Sequence, residues 1–181
     1  MKNVLRGALI VLAMLSAASV LIIAAVDLAI YEPHATEIRA IIAQASPEDR
    51  TPPELVQDMV HASEPRGIYW QLARILNYKF GSSRQGPNRL ISELLWGPLL
   101  RMHLSSEEQM SLYCSLIYVG DYGNGLSAAS LGLFHKPLSE LTRQEAAMVA
   151  AYPWGPQYFN RHPNSLRERG NSLLQRSRAG L

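Results

Sequence analysis

Gly125 to Pro153 reads GLSAASLGLFHKPLSELTRQEAAMVAAYP. A glycine opens the string, small residues fill it, and Lys136-Pro137 interrupts it once. Thr142 and Glu145 have capping-box spacing, in which a Thr side chain and a Glu three residues on each accept the other's backbone N–H. The run that follows, Ala146-Ala147-Met148-Val149-Ala150-Ala151, has little side-chain bulk and permits close helix contact. No alternating polar–apolar pattern competes, so the stretch predicts helix against helix.

Working outward, the segment just upstream is the clearest helix. Ser105 and Glu108 make a second capping box. Met110, Tyr113, Cys114 and Ile117 form one apolar face, and Leu112, Leu116 and Val119 most of another. A helix apolar on nearly all sides is a central one. Gly120, Gly123 and Gly125 close it. Further back, Ile68 to Phe80 is apolar-periodic and ends at Gly81. The polar stretch to Asn88 predicts a loop. Arg89 to Leu100 predicts another helix, kinked or ended by Gly97-Pro98. Thr51-Pro52-Pro53-Glu54 reads as a capping box ahead of the stripe Leu55, Val56, Met59 and Val60. His34 to Gln44 places Ile38, Ile41 and Ile42 on one helical face. The expected fold is one mainly α domain over residues 32–181.

Residues 1–31 predict a membrane anchor. Gly7 to Val26 carries no charge and matches the ~20 residues a bilayer-crossing helix needs. A cleaved signal core is shorter, about 7–15 residues. Lys2 and Arg6 precede the span, which puts the N-terminus in the cytoplasm and the rest outside. The formal charge of +2 is too small to argue for nucleic acid. It is unevenly placed: five arginines lie from Arg161 to Arg178 against Glu168 alone. The single cysteine, Cys114, permits no internal disulfide. No Cys or His cluster has metal-site spacing.

From Ser105 to Pro156 the chain resembles the glycosyltransferase family 51 domain. That domain is the peptidoglycan glycosyltransferase of penicillin-binding proteins and of monofunctional biosynthetic transglycosylases. The family shows a helix reading S-K-x-x-I-L-E-x-Y-L-N, a glycine loop, then A-A-x-x-Y-F-G-K-x-x-x-x-L-x-x-x-E-A-A-x-L-A-x-x-P. Ser105, Tyr113, Gly120, Gly125, Ala128, Ala129, Phe134 and Lys136 fall in register with it. So do Leu141, Glu145, Ala146, Ala147, Ala150, Pro153 and Pro156. Upstream, Arg89 to Glu93 sits where the family has R-K-x-x-E. Glu64 sits where E-D-R-x-F-x-x-H-x-G begins, and Arg167, Arg169 and Asn171 resemble the closing R-x-R-x-N helix. The departures are Pro65 for the aspartate, no aromatic or histidine before Gly67, and Ser111 and Ser115 in the central helix. The G-G-S-T-I-T-Q-Q loop is reduced to Gly81-Ser82-Ser83-Arg84-Gln85.

The resemblance implies a lysozyme-like helical fold at the bacterial inner membrane, acting outside the cytoplasm. It implies polymerisation of lipid-linked disaccharide, lipid II, into glycan strands. An acceptor sugar hydroxyl is a weak nucleophile, so a carboxylate must take its proton, and the leaving pyrophosphate needs positive charge beside it. On this reading Glu64 is the general base. Glu93 orients the basic groups or helps bind a cation. Arg66, Arg89 and Lys136 neutralise pyrophosphate, with or without a divalent cation such as Mg2+. Implied partners are lipid II, the growing strand, the membrane and other cell-wall synthesis proteins. Two alternatives stay open: a degenerate relative acting as a binding or scaffolding module, and a lytic hydrolase.

Overall fold

The computed structural model describes the backbone of residues 2–81 and 87–179, and their side chains except at 2–11, 13, 87, 88, 178 and 179. The chain divides into two compact units, Met1–Thr36 and Glu37–Leu181. The first is built on α1 (Lys2–Ile30) and the start of α2 (Glu32–Gln44). Among the described residues no single helix is long and apolar enough to cross a membrane. A bent pair, Met14–Ile30 with Glu32–Gln44, passes that test by length and composition together. Lys2, Arg6 and the first residues of the expected span lie outside the described side chains.

The second unit is helical and, among the described residues, contains no strand beyond one isolated bridge. Its helices after α2 are α3 (Pro47–Arg50), α4 (Glu54–Ser63), α5 (Ile68–Phe80), α6 (Pro87–His103) and α7 (Ser106–Leu116). Then come α8 (Leu126–Phe134), α9 (Arg143–Ala151), α10 (Pro156–Arg161) and α11 (Pro163–Ala179). The capping boxes at Ser105/Glu108 and Thr142/Glu145 are both formed, so α7 and α9 start where their sequence says. Helix α7 is central: Leu112, Tyr113 and Cys114 are buried, and it contacts α3, α5 and α8. Its apolar side chains each contribute roughly 1.5–3 kcal/mol by leaving water.

Helix α9 packs on α4, α8 and α11, with Ala146, Ala147, Ala150 and Ala151 buried. At the α9–α11 crossing a Cβ on Gly170 would lie 2.9 Å from Met148 Cγ and 3.3 Å from its backbone nitrogen. Gly170 of α11, together with the buried alanines of α9, lets the two helices approach closely. Polar pins hold the loops to this core. Asp49 is buried and accepts from the Ser127 backbone N–H at 3.0 Å. Glu48 accepts from the Leu138 N–H at 2.7 Å and so fixes the turn after Lys136-Pro137.

Four local expectations are corrected. Thr51 does not cap α4; Pro53 does, without a side-chain bond. A cap at Thr51 would make Pro52 helical directly before Pro53, which pre-proline sterics disfavour. Thr51 instead ends α3, its N–H bonding to the Pro47 carbonyl. Of the two outcomes expected at Gly97-Pro98, a kink or an end, the end does not occur: α6 runs on to His103. Leu94, whose carbonyl loses its partner, and Pro98 face solvent, while Trp96, Leu99 and Leu100 on the other side are buried. Water can therefore satisfy the freed carbonyl while packing holds the helix together. Helix α7 stops at Leu116, short of Val119, because the chain turns into an antiparallel bridge between Tyr118 and Asn124. Gly120, at φ +66°, makes that turn, where a Cβ would meet Pro156 at 2.6 Å. Helix α6 begins at Pro87, inside the expected loop; residues 82–86, with most of the loop remnant, lie outside the described ones.

Candidate active site

The catalytic candidate Glu64 occupies the C-cap of α4, immediately after the buried Ala62 and Ser63. The apolar stripe of α4 turns the helix end inward, which leaves this carboxylate only 8% exposed. Tyr113 of α7 donates its hydroxyl to Glu64 Oε1 at 3.3 Å. Gln71 of α5 also favours the charged carboxylate, and Arg74 and Arg169 bring positive charge. Burial dominates and holds the Glu64 pKa above the ordinary carboxylate value, against the lowering effect of those four partners. A carboxyl displaced upward by desolvation accepts a proton more readily than a solvated one.

Beside it lies a groove of about 730 Å³ between α5, α6 and the segment after α7. That volume suits a small-molecule substrate. Gln71, Arg74 and Tyr78 reach it from α5, and Arg89 and Glu93 from α6. Tyr118 and Asn124, the bridged pair, line its far wall. Arg74, Lys79 and Arg89 outnumber Glu93 on the described lining, so the groove is net basic. Arg89 Nε lies 3.3 Å from Glu93 Oε1 one helical turn away, which aims the guanidinium and limits its mobility. Tyr78 and Tyr118 are 69% and 54% exposed there, leaving aromatic surface for a ligand to cover.

The expected site residues therefore divide. Glu93 and Arg89 line the groove; Glu64 does not, although Arg74, whose charge lowers its pKa, does. Arg66 is exposed on the turn between α4 and α5 and does not line the groove. Lys136 also lies off the lining, with Nζ 2.7 Å from Glu145 Oε1. That contact and the Thr142 cap lower the Glu145 pKa to about 2. Among the described residues no three His, Cys, Asp or Glu side chains come together to hold a metal. Glu93, already paired to Arg89, does not make a cation cage alone.

Sequence reasoning missed Gln71, Arg74, Tyr78, Tyr113 and Tyr118 as site residues. Three of them had a signal: Gln71, Arg74 and Tyr78 recur at helical spacing on α5, opposite the buried Leu72, Ala73 and Leu76. Tyr113 had none, because an inward-facing polar contact on a buried stripe looks like core. Arg169 also lies over the half-exposed Trp154, with 5.7 Å to the ring centroid.

Comparison with known proteins converges on the same segment. The family model described as Transglycosylase matches residues 53–178, from the start of α4 almost to the end of α11. Penicillin-binding protein 1A of Pseudomonas aeruginosa is 33% identical over 111 residues, covering 60% of this chain and 13% of that protein. The protein of the same name from Aquifex aeolicus is 30% identical over 125 residues, 58% of this chain and 17% of its own length. That from Neisseria flavescens is 26% identical over 136 residues, with 60% and 17% covered. The chain thus spans less than a fifth of the length of these relatives. With the model matched over most of the helical unit, the chain belongs to the transglycosylase family.

Proposed function

We propose that this chain is a peptidoglycan glycosyltransferase that polymerises lipid-linked disaccharide at the outer face of the bacterial inner membrane, anchored by residues 1–31. The observation that carries the reading is one buried carboxylate, Glu64, whose pKa is lowered by the charge of Arg74 on the lining of a basic groove. In the reaction, the 4-hydroxyl of the acceptor sugar attacks the anomeric carbon of the donor. Glu64 takes the hydroxyl proton as the new glycosidic C–O bond forms. The bond from the anomeric carbon to the lipid pyrophosphate breaks, and its electron pair leaves with the pyrophosphate. Arg89, oriented by Glu93, and Arg74 neutralise that charge; a planar guanidinium pairs two phosphate oxygens at once. Tyr78 and Tyr118 offer flat apolar faces to the sugar rings. A lysozyme-like arrangement suits this chemistry because the helical core holds the base while the cleft holds the glycan.

The test is polymer formation from purified lipid-linked disaccharide by the wild type and by Glu64→Gln. Loss of polymer in the variant, with its fold intact by circular dichroism, supports the assignment. Equal polymerisation by both removes Glu64 as the base.

A second reading has its own support. Lys136 is committed to Glu145, and Glu64 is buried and does not line the groove. A chain of this kind could serve as a binding module for the same lipid pyrophosphate during cell-wall assembly. It predicts retained binding of the donor without polymer in the wild type.

A further inference from the structure

We infer that the outer face of the α5–α6 pair is a second membrane contact, with Arg101 placed to take the phosphate of an anionic phospholipid. It goes beyond the anchor at residues 1–31, rests on the membrane placement proposed above, and is independent of the role of Glu64. Helix α6 has two apolar sides. One, with Trp96, Leu99 and Leu100, is buried in the domain. On the other, Leu90, Ile91, Leu94, Pro98, Arg101 and Met102 share one arc at helical spacing, and all are exposed. Leu90, Ile91, Leu94 and Met102 are 56–62% exposed. A surface helix ordinarily turns charged and polar groups outward; this arc holds one charge, Arg101. A single exposed leucine needs no explanation, but a contiguous apolar row marks a contact surface.

Where the row meets α5 there is a cleft of about 460 Å³, lined by Tyr69 and Trp70 of α5 and by Leu94, Pro98 and Arg101 of α6. The Arg101 guanidinium lies 5.2 Å from the Tyr69 ring centroid, which holds the cation beside the cleft. Trp and Tyr rings favour the headgroup level of a bilayer, and an arginine there lays its stem on apolar surface while its head reaches phosphate. Charge selects the occupant. From Arg66 to His103 the sequence carries six Lys or Arg against Glu93 alone, although the whole chain nets only +2. An anionic surface is attracted to such a pair of helices, whereas a second copy would bring the same charge against itself. The carbonyl of Leu94, freed by Pro98, lies on this face and needs a donor. Water at headgroup depth supplies one and hydrocarbon does not, so the contact is shallow. Arg89 and Glu93 of the same helix line the groove, so this seating holds the groove at the level where a lipid pyrophosphate lies.

The experiment reads the surroundings of α6 in the full chain. Leu94→Cys is labelled with an environment-sensitive fluorophore, nitrobenzoxadiazole; Cys114 is fully buried and out of reach. The protein is placed in vesicles of phosphatidylcholine, alone or mixed with phosphatidylglycerol. With phosphatidylglycerol, the label at position 94 is expected to brighten and to be quenched by lipid spin-labelled near the headgroup. A label introduced by Glu168→Cys, on an exposed part of α11, is expected to stay in water in both mixtures. Arg101→Gln is expected to raise the phosphatidylglycerol needed for half-maximal quenching about fivefold, the factor equivalent to the ~1 kcal/mol one cation contributes. Arg101→Lys is expected to keep most of the response. A label at position 94 that stays in water in both mixtures overturns the contact, as it would if the row served an acidic protein helix. Equal quenching in both mixtures overturns the phosphate site. A response that follows protein density rather than phosphatidylglycerol overturns the proposal in favour of a second copy. Flotation reads the anchor separately: failure to float with phosphatidylcholine sinks the anchor at residues 1–31, while flotation with phosphatidylglycerol that Arg101→Gln weakens leaves this contact standing.

Discussion

Tyr113 Oη and Glu64 Oε1 lie 3.3 Å apart across 49 positions of sequence, joining the middle of α7 to the end of α4. Burial comes first, and then the Glu64 charge, in holding the Tyr113 pKa well above its ordinary value, so the phenol stays a donor. The bond stabilises the charged carboxylate and pulls the Glu64 pKa down against the larger effect of burial. Tyr113→Phe removes that pull without changing the ring. The Glu64 pKa then rises further, and the base form is lost at higher pH than in the wild type. A pH series of kcat/KM is expected to show the acid limb moved toward neutrality with the alkaline plateau nearly kept. An unmoved limb would show that the phenol does not bear on the base.

The same displaced carboxyl makes a stability prediction. The folded-state pKa of Glu64 is raised, so the folded chain binds the proton more tightly than the unfolded one. Folding is thereby favoured below the unfolded pKa, and that contribution is lost as pH rises through the folded pKa. At pH 7 the wild type holds a carboxylate where a neutral group is preferred. Glu64→Gln is expected to raise Tm at pH 7 by about 2–4 °C, the effect of ~1 kcal/mol in a domain of this size. The gain is expected to shrink toward zero below pH 4, where the wild-type acid is itself protonated. A buried base thus trades stability for chemistry, and thermal melts at the two pH values measure the exchange.

Arg74 faces both ways: it lines the groove and its charge lowers the Glu64 pKa. Replacing it with Gln removes one cation from the proposed pyrophosphate contact and one from beside the base. A hydrogen bond to a charged group contributes about 1.5–3 kcal/mol, so KM for the donor is expected to rise roughly 10- to 100-fold. The acid limb of kcat/KM is expected to move up together with it. Arg89→Gln, whose partner is Glu93 rather than Glu64, is expected to raise KM without moving the limb. Steady-state kinetics of the two variants side by side separates charge at the leaving group from charge at the base.

Much of this fold is written locally. The caps at Ser105 and Thr142 lie in their own sequence, so α7 and α9 begin where expected. Helix α5 has the predicted bounds because its apolar period and the terminal Gly81 agree. Thr51 failed because two prolines outvoted a spacing rule, and Pro98 does not end α6 because the exposure of its helix face, which lets water satisfy the freed carbonyl, is a tertiary property. The site was half legible. Arg89 and Glu93 form one turn of one helix, so motif register sufficed to pair them. Glu64 joins Gln71, Tyr113 and Arg169 from three other helices, and no local pattern encodes that meeting. Lys136 matched the register, yet the neighbouring cap brings Glu145 to it first.

The last prediction tests the stretch that decides the fold. Gly170 on α11 sits against Met148 of α9, in the middle of the alanine run. A methyl group there would come within 2.9 Å of the Met148 side chain and 3.3 Å of its backbone nitrogen. The side chain can swing away; the backbone cannot. In an isolated helix Gly→Ala is favourable by about 1 kcal/mol, so propensity and packing oppose each other at this position. Overpacking of a close interface costs about 1–3 kcal/mol, and both helices must separate to admit the methyl. Gly170→Ala is therefore expected to destabilise the domain by a net ~0–2 kcal/mol. Because Arg169 adjoins Gly170 and its charge bears on Glu64, the same shift is expected to raise the Glu64 pKa. Urea unfolding reads the first effect and the pH dependence of turnover the second; a stabilised variant would mean that α9 and α11 are not held at this distance.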